Sequence, residues 1–280
     1  MDQASKLRQL VRTRSDCAHA IAVVSGKGGV GKSNIAVNLG ISLAERGVRV
    51  AVVDLDMGLA NADLLLNIQP RYTLAHVLSG VRTVEEVCTT GPFGLAFIPG
   101  ASGLHGLANL SEFERQSLAQ QLRKLDASTD IVLFDCGAGL SRNVITFAQA
   151  ADRVMVVTTP EPTAVTDAYA VIKSFRSHQH ASQISLLVNM VQSPDEAARV
   201  YRRISGVAKR FLNYPIADGG YILHDTSVEL AVRERRPFVI GYPSCNASAC
   251  IVAIASGLAR TCGERQERGS FFRRLAGLFI

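Results

Sequence analysis

Three features of the sequence predict an α/β protein, with a mostly parallel central sheet and helices on both faces. Short β-branched runs are apolar along nearly their whole length, as strands covered on both sides must be. Patterns of helical period separate these runs. The first run, Ile21–Val24, leads directly into Gly26-Lys27-Gly28-Gly29-Val30-Gly31-Lys32-Ser33 and then a helical pattern from Asn34. That is the strand–loop–helix setting in which G-x-x-x-x-G-K-[ST] cradles phosphates.

The elements follow in order. Strands are expected at Ala20–Ser25, Val48–Asp54, Leu95–Ile98, Ile131–Asp135, Arg153–Thr158 and Ile184–Val188. Helices are expected at Asn34–Glu45, Glu112–Leu125, Arg142–Ala150, Thr163–Ser177 and Pro194–Phe211. Gly47 stops the first helix, and Ser111 with Glu114 offers a capping box for the second. The Gly/charged stretch Gly263–Ser270 reads as a linker before a distinct final segment. This divides the chain into an N-terminal segment 1–17, a nucleotide-binding domain 18–262, and a linker with terminal helix 263–280.

At 280 residues the length suits one α/β domain with a full core. No run of eighteen apolar residues suggests a transmembrane helix, and Met1–Arg8 lacks the apolar stretch of a secretion signal. A cytoplasmic protein is therefore expected. The six cysteines form no C-x-x-C pair, which favours free thiols over a metal or disulfide role. His178 and His180 are read as a solvated helix end. The net charge of +6 favours acidic partners, anionic lipid or nucleic acid, without choosing between them.

Within the loop, glycines let backbone N–H groups converge on phosphate oxygens, and the following helix adds its positive end. Lys32 is expected to reach the β- and γ-phosphates of a nucleotide, with the Ser33 hydroxyl on Mg²⁺. Ile131–Phe134 is an apolar strand ending in Asp135, a Walker-B pattern suited to holding the same metal. Gly137-Ala138-Gly139 then suits a loop that senses the γ-phosphate. Asp54 and Asp56 close another strand where ligands of open α/β sheets bind. They share a face if the chain stays extended, and diverge in role if it turns. There is no N-K-x-D guanine-reading motif. Asn189, ending a strand, can donate and accept toward adenine, or simply form a turn.

The K-G-G-V-G-K-S loop, with its second lysine Lys27, resembles the deviant loop of the MinD/ParA family, a SIMIBI-class group of P-loop NTPases. Thr159–Tyr169 looks similar to its flagellar FlhG/FleN branch, and the resemblance covers most of residues 18–260. It implies an ATPase using ATP and Mg²⁺. The loop residues Gly26 to Ser33 and Asn34 would bind nucleotide, with Asn189 as adenine reader. Ser33, Asp54 and Asp135 would serve the metal, and Asp56 would position the attacking water. Lys27 would cross to a partner's nucleotide in an ATP-bound homodimer, the charge-stabilising task of an arginine finger. In relatives an aspartate matching Asp167 pairs with that lysine at rest. Leu223 stands where many relatives carry proline, which leaves the base-contacting loop open.

The ends add two expectations. Asp2–Arg8 resembles the activator segment that stimulates the GTPase FlhF, with Gln3 inserted near its nucleotide; the bland alternative is a frayed helix. In Phe271–Ile280 one helical face carries Phe271, Phe272, Leu275, Leu278 and Phe279, opposite Arg273 and Arg274. That suits an anionic membrane interface at the inner face of the cell membrane, or else packing into the protein's own core. A flagellar switch, with basal-body components as further partners, is the expectation. A ParA-like ATPase binding DNA nonspecifically stands second.

Overall fold

The computed structural model describes residues 18–56, 61–100, 112–177 and 183–261, together with Phe271, Arg274, Leu275 and Leu278. Segment 1–17, Ser111, the His178/His180 pair and the Gly263–Ser270 linker lie outside these residues.

The chain runs β1 (His19–Ser25), α1 (Lys32–Ala44), β2 (Val50–Leu55), three short helices α2 (Ala62–Leu66), α3 (Leu74–Leu78) and α4 (Val84–Val87), β3 (Thr89–Thr90) and β4 (Ala96–Ile98). Next come α5 (Glu112–Leu122), α6 (Leu125–Ser128), β5 (Ile131–Ala138), α7 (Arg142–Ala150), β6 (Arg153–Thr158) and α8 (Pro162–Ser177). Then follow β7 (Gln183–Val191), α9 (Pro194–Leu212), β8 (Ala217–Leu223), α10 (Thr226–Arg233), α11 (Phe238–Gly241) and α12 (Asn246–Thr261). The strands form one sheet in the order β3-β4-β2-β5-β1-β6-β7-β8, parallel except for the β3–β4 pair.

The expected strands are all present, with β5 and β7 longer than their apolar runs. β8 was not expected. Its sequence, Ala-Asp-Gly-Gly-Tyr-Ile-Leu, has no β-branched run, because an edge strand that is only partly covered does not need one. The predicted Glu112–Leu125 helix breaks into α5 and α6.

Alternate side chains of the central strands enter two separate cores. One holds α1, α11 and α12, and the other holds α5, α7, α8 and α9. Helix α1 presses so closely on the sheet that a Cβ on Gly40 would lie 2.7 Å from Val52 Cγ2. Buried Asn38 ties the same helix down, donating to Asn34 O (2.8 Å) and accepting from Val239 N (3.1 Å). The phosphate loop is thus held on a helix with little freedom to shift. It leaves the C-terminal end of β1, which lies between β5 and β6, where successive strands turn to opposite sides. Open α/β sheets bind ligands at such a reversal.

Candidate nucleotide site

Gly29 (φ 78°) and Gly31 (φ 91°) supply the left-handed turns of the loop. Gly26 cannot gain a side chain, because a Cβ there would lie 2.5 Å from Asp167 O. A Cβ on Gly31 would meet Asn189 Nδ2 at 2.5 Å. Ser25 Oγ donates to Lys27 O at 2.7 Å, fixing the start of the loop. Lys32 is buried, while Ser33 and Asn34 are half-buried in the first turn of α1. The loop therefore exposes backbone donors at a helix N-terminus, beside one lysine and one hydroxyl.

Asp54 and Asp135 are in-register neighbours on β2 and β5, each about 1% exposed. Their roles differ. Asp54 accepts from Asp56 N (2.9 Å) and Ala62 N (3.4 Å), so it pins both ends of the segment between them. Its carboxyl is raised well above the usual range by burial first and then by the Asp135 charge. Neither carboxylate oxygen of Asp135 has a hydrogen bond of ordinary geometry. Burial raises Asp135 to about 6, opposed by the nearby Ser33 hydroxyl and Lys32.

A buried, unsatisfied carboxylate beside a serine hydroxyl is a poor resting arrangement without a cation. Mg²⁺ fits this donor set. It is a hard ion that takes oxygen ligands, one or two carboxylates, and completes its shell with phosphate and water. Among the described residues no group of three or more His, Cys, Asp or Glu could hold a metal by protein alone. Asp56 reaches toward the glycine switch: its Oδ1 lies 3.4 Å from where a Gly137 Cβ would be. Any larger residue at 137 would crowd that carboxylate.

Two residues expected in the site have partners that the sequence did not reveal. Lys27 extends away from the loop, its Nζ donating to Glu161 Oε2 (2.7 Å) and Thr163 Oγ1 (3.2 Å). Its ion-pair partner is thus Glu161 and not Asp167. Glu161 stands in the turn just before α8, whereas Asp167 lies farther along that helix and meets Gly26 through its backbone. Asn189, 7% exposed, donates its amide to Val30 O at 2.8 Å. It braces the loop whatever it does toward a base. The next residue, Met190, is held at φ 58° with its side chain 40% exposed beside Gly31. Leu223 is in register with Val191, and His224 N donates to Val191 O at 2.8 Å.

Phe271 and Leu275 of the final segment also pack inward. Phe271 is 1% exposed and stacks on Phe134, the residue before Asp135, with ring centroids 4.6 Å apart. Leu275 is buried in the same core, and Leu278 is exposed. Arg274 reaches the C-terminal end of α7, donating through Nε to Ala150 O (2.9 Å) and pairing with Asp152. Packing against the protein itself, one of the two readings of this segment, is the arrangement observed for these residues.

Residues 18–188 match the model of an AAA domain family. The chain is 38% identical to the antiactivator FleN of Pseudomonas aeruginosa over 235 residues, covering 84% of each chain. It is also 38% identical to the flagellum site-determining protein YlxH of Helicobacter pylori over 263 residues, covering 91% of this chain and 88% of that one. In fold it matches the septum site-determining protein MinD of Pyrococcus horikoshii, solved with Mg-ADP. The TM-score is 0.73 and the identity 23%, over 90% of this chain and all of that one. Loop, paired aspartates and relatives agree: the chain belongs to the FlhG (FleN/YlxH) branch of the MinD/ParA family, P-loop ATPases that hydrolyse ATP with Mg²⁺.

Proposed function

We propose that this ATPase is a dimerising switch that regulates the number or placement of bacterial flagella and cycles on and off the inner face of the cell membrane. The observation that carries the reading is Lys27, which has left its own loop for Glu161. Both groups are well exposed, at 42% and 63% for their side chains. An exposed ion pair of this kind holds weakly, by about 1 kcal/mol or less. The triphosphate of a second copy therefore competes for the lysine on favourable terms. Lys32, Ser33 and Asp135 would hold ATP and Mg²⁺ in one subunit. Lys27 would then reach the other subunit's phosphates, and Asp56 would orient the attacking water. The metal, when bound, neutralises charge on the transferring phosphoryl group.

The tail supplies the output. Its docked state spends Phe271, Leu275 and Arg274 on the protein itself, so those groups are withheld from a membrane. No described helix is long and apolar enough to cross one, so attachment would be peripheral. Two released tails on one dimer bind far better than one, because the second contact is intramolecular. The Asp2–Arg8 segment would act on an FlhF-type GTPase, in keeping with the flagellar names of the two relatives.

Sedimentation with vesicles rich in anionic lipid tests this. Wild type should bind with ATP and Mg²⁺ and release with ADP. Asp152→Asn, which loosens the hold on Arg274 without altering the tail, should bind more readily without ATP. Equal wild-type binding in ATP, ADP and no nucleotide would remove the switch.

A further inference from the structure

The outer face of α9 carries a row of cations with no ion pairs among the described residues. Arg202, Arg203, Lys209 and Arg210 stand 3, 4, 10 and 11 residues after Arg199, the spacing of one helical face, and all five are exposed. Ala197, Val200, Ile204 and Ala208 occupy the opposite face and are buried against the sheet. The row spans about 16 Å at the rise of an α-helix. Among the described residues none of the five forms an ion pair. The only acids of α9, Asp195 and Glu196, sit in its first turn, before the row begins. Gly206 falls within the row and has open space around it, so nothing stands between the flanking cations and an approaching surface.

Such a row repels itself, and its described intramolecular contacts, Arg202 Nε donating to Ala198 O of its own helix (3.2 Å) and Arg210 over the Phe211 ring, neutralise none of its charge, so its complement is a polyanion. Two observations select an anionic lipid surface over nucleic acid. The first is Phe211 at the C-terminal end of the row, 68% exposed with Arg210 over its ring at 5.4 Å. An exposed phenylalanine beside arginines suits the boundary between headgroups and acyl chains, and adds nothing to phosphate-backbone contacts. The second is position. The buried residues of α8 and α9 share one core with Phe271 and Leu275, whereas α1 and α12 belong to the other. The cation row and the tail therefore lie on the same side of the sheet. Exposed Lys173 and Arg176 on α8 add charge to that side.

We infer that the α9 face is a second membrane-contact surface, an electrostatic footing that lies flat on anionic headgroups while the tail inserts. It rests on the membrane reading above but uses different residues. In the docked state it remains available, so it would give weak, salt-sensitive contact before ATP releases the tail.

The test is the full-length triple variant Arg202→Gln, Arg203→Gln, Arg210→Gln, with glutamines chosen to keep helix propensity. Each cation near an anionic surface contributes about five-fold in affinity, so removing three should weaken binding about 100-fold. The vesicles would carry a third phosphatidylserine. ATP affinity and thermal midpoint should match wild type, and the salt dependence of vesicle binding should flatten. Unchanged vesicle binding by the triple variant, with wild type binding in an ATP-dependent way, overturns this inference and leaves the tail switch standing. Wild type failing on every vesicle overturns the membrane reading itself. Loss of duplex-DNA binding by the variant, with vesicle binding intact, assigns the row to nucleic acid and also overturns the inference.

Discussion

Removing the charge of Asp135 changes how stability depends on pH, in a direction fixed by its surroundings. In the metal-free protein its carboxyl is raised from 3.8 to about 6 by burial, and neither oxygen has a hydrogen bond of ordinary geometry. A carboxyl raised in the folded state binds its proton more tightly folded than unfolded. It therefore costs nothing at low pH and destabilises as pH rises through the window between the two values. The full cost corresponds to about 3 kcal/mol, of which about 2 kcal/mol accrues between pH 4.5 and 7.5. Urea denaturation of wild type and Asp135→Asn without Mg²⁺, at both pH values, isolates this contribution. The amide's own packing cost is common to both conditions and cancels in the double difference. Asp135→Asn should gain about 2 kcal/mol relative to wild type on going to pH 7.5. Because Asp54 shares the buried pair, the protons released belong partly to both, but the sign is unaffected. Adding Mg-ADP should then stabilise wild type more than the variant, since only wild type gives the ion its carboxylate. Parallel pH curves for the two proteins would refute the reading of Asp135 as a buried charge awaiting a cation.

The other residues give sharper functional contrasts. Asp56→Ala should bind ATP and dimerise yet hydrolyse about 10²-fold more slowly, the scale expected for losing a water-orienting group; near-normal turnover in single-turnover assays would make Asp56 structural. Glu161→Gln frees Lys27 from its resting partner and should tighten the ATP-bound dimer by up to about five-fold, the limit for an exposed pair; weaker dimerisation would show that Glu161 belongs to the dimer instead. Asn189→Ala loses the bond to Val30 O and should weaken ATP and inorganic tripolyphosphate alike, by about five- to ten-fold in calorimetry. Loss confined to ATP would make Asn189 a base reader alone.

What could be read from the sequence was local. The glycine loop, the apolar strands and the acids on them are short-range patterns, and the strands form where those patterns place them. Three features escaped because they are not local. The hold on Lys27 comes from Glu161, 134 residues away, and the brace on Val30 from Asn189, 159 residues away; no spacing rule connects such groups. Helix α12 was missed because its small, apolar stretch Ala247–Ala255 has no clear polar face, being packed against both α1 and β8. The terminal segment shows a different limit. Phe271 and Leu275 make an apolar stripe at i, i+4, and the same stripe serves a membrane or the protein's own core equally well. Only the stacking on Phe134 and the reach of Arg274 to Asp152 showed which surface it covers in this state.

In the proposed switch, ATP joins two copies through Lys27. Sedimentation velocity with ATP and Mg²⁺, comparing wild type with Lys27→Ala at matched nucleotide saturation, tests it most directly. Wild type should move from monomer to dimer, and Lys27→Ala should bind ATP but remain a monomer. A nucleotide-saturated Lys27→Ala that sediments as a normal dimer would contradict it.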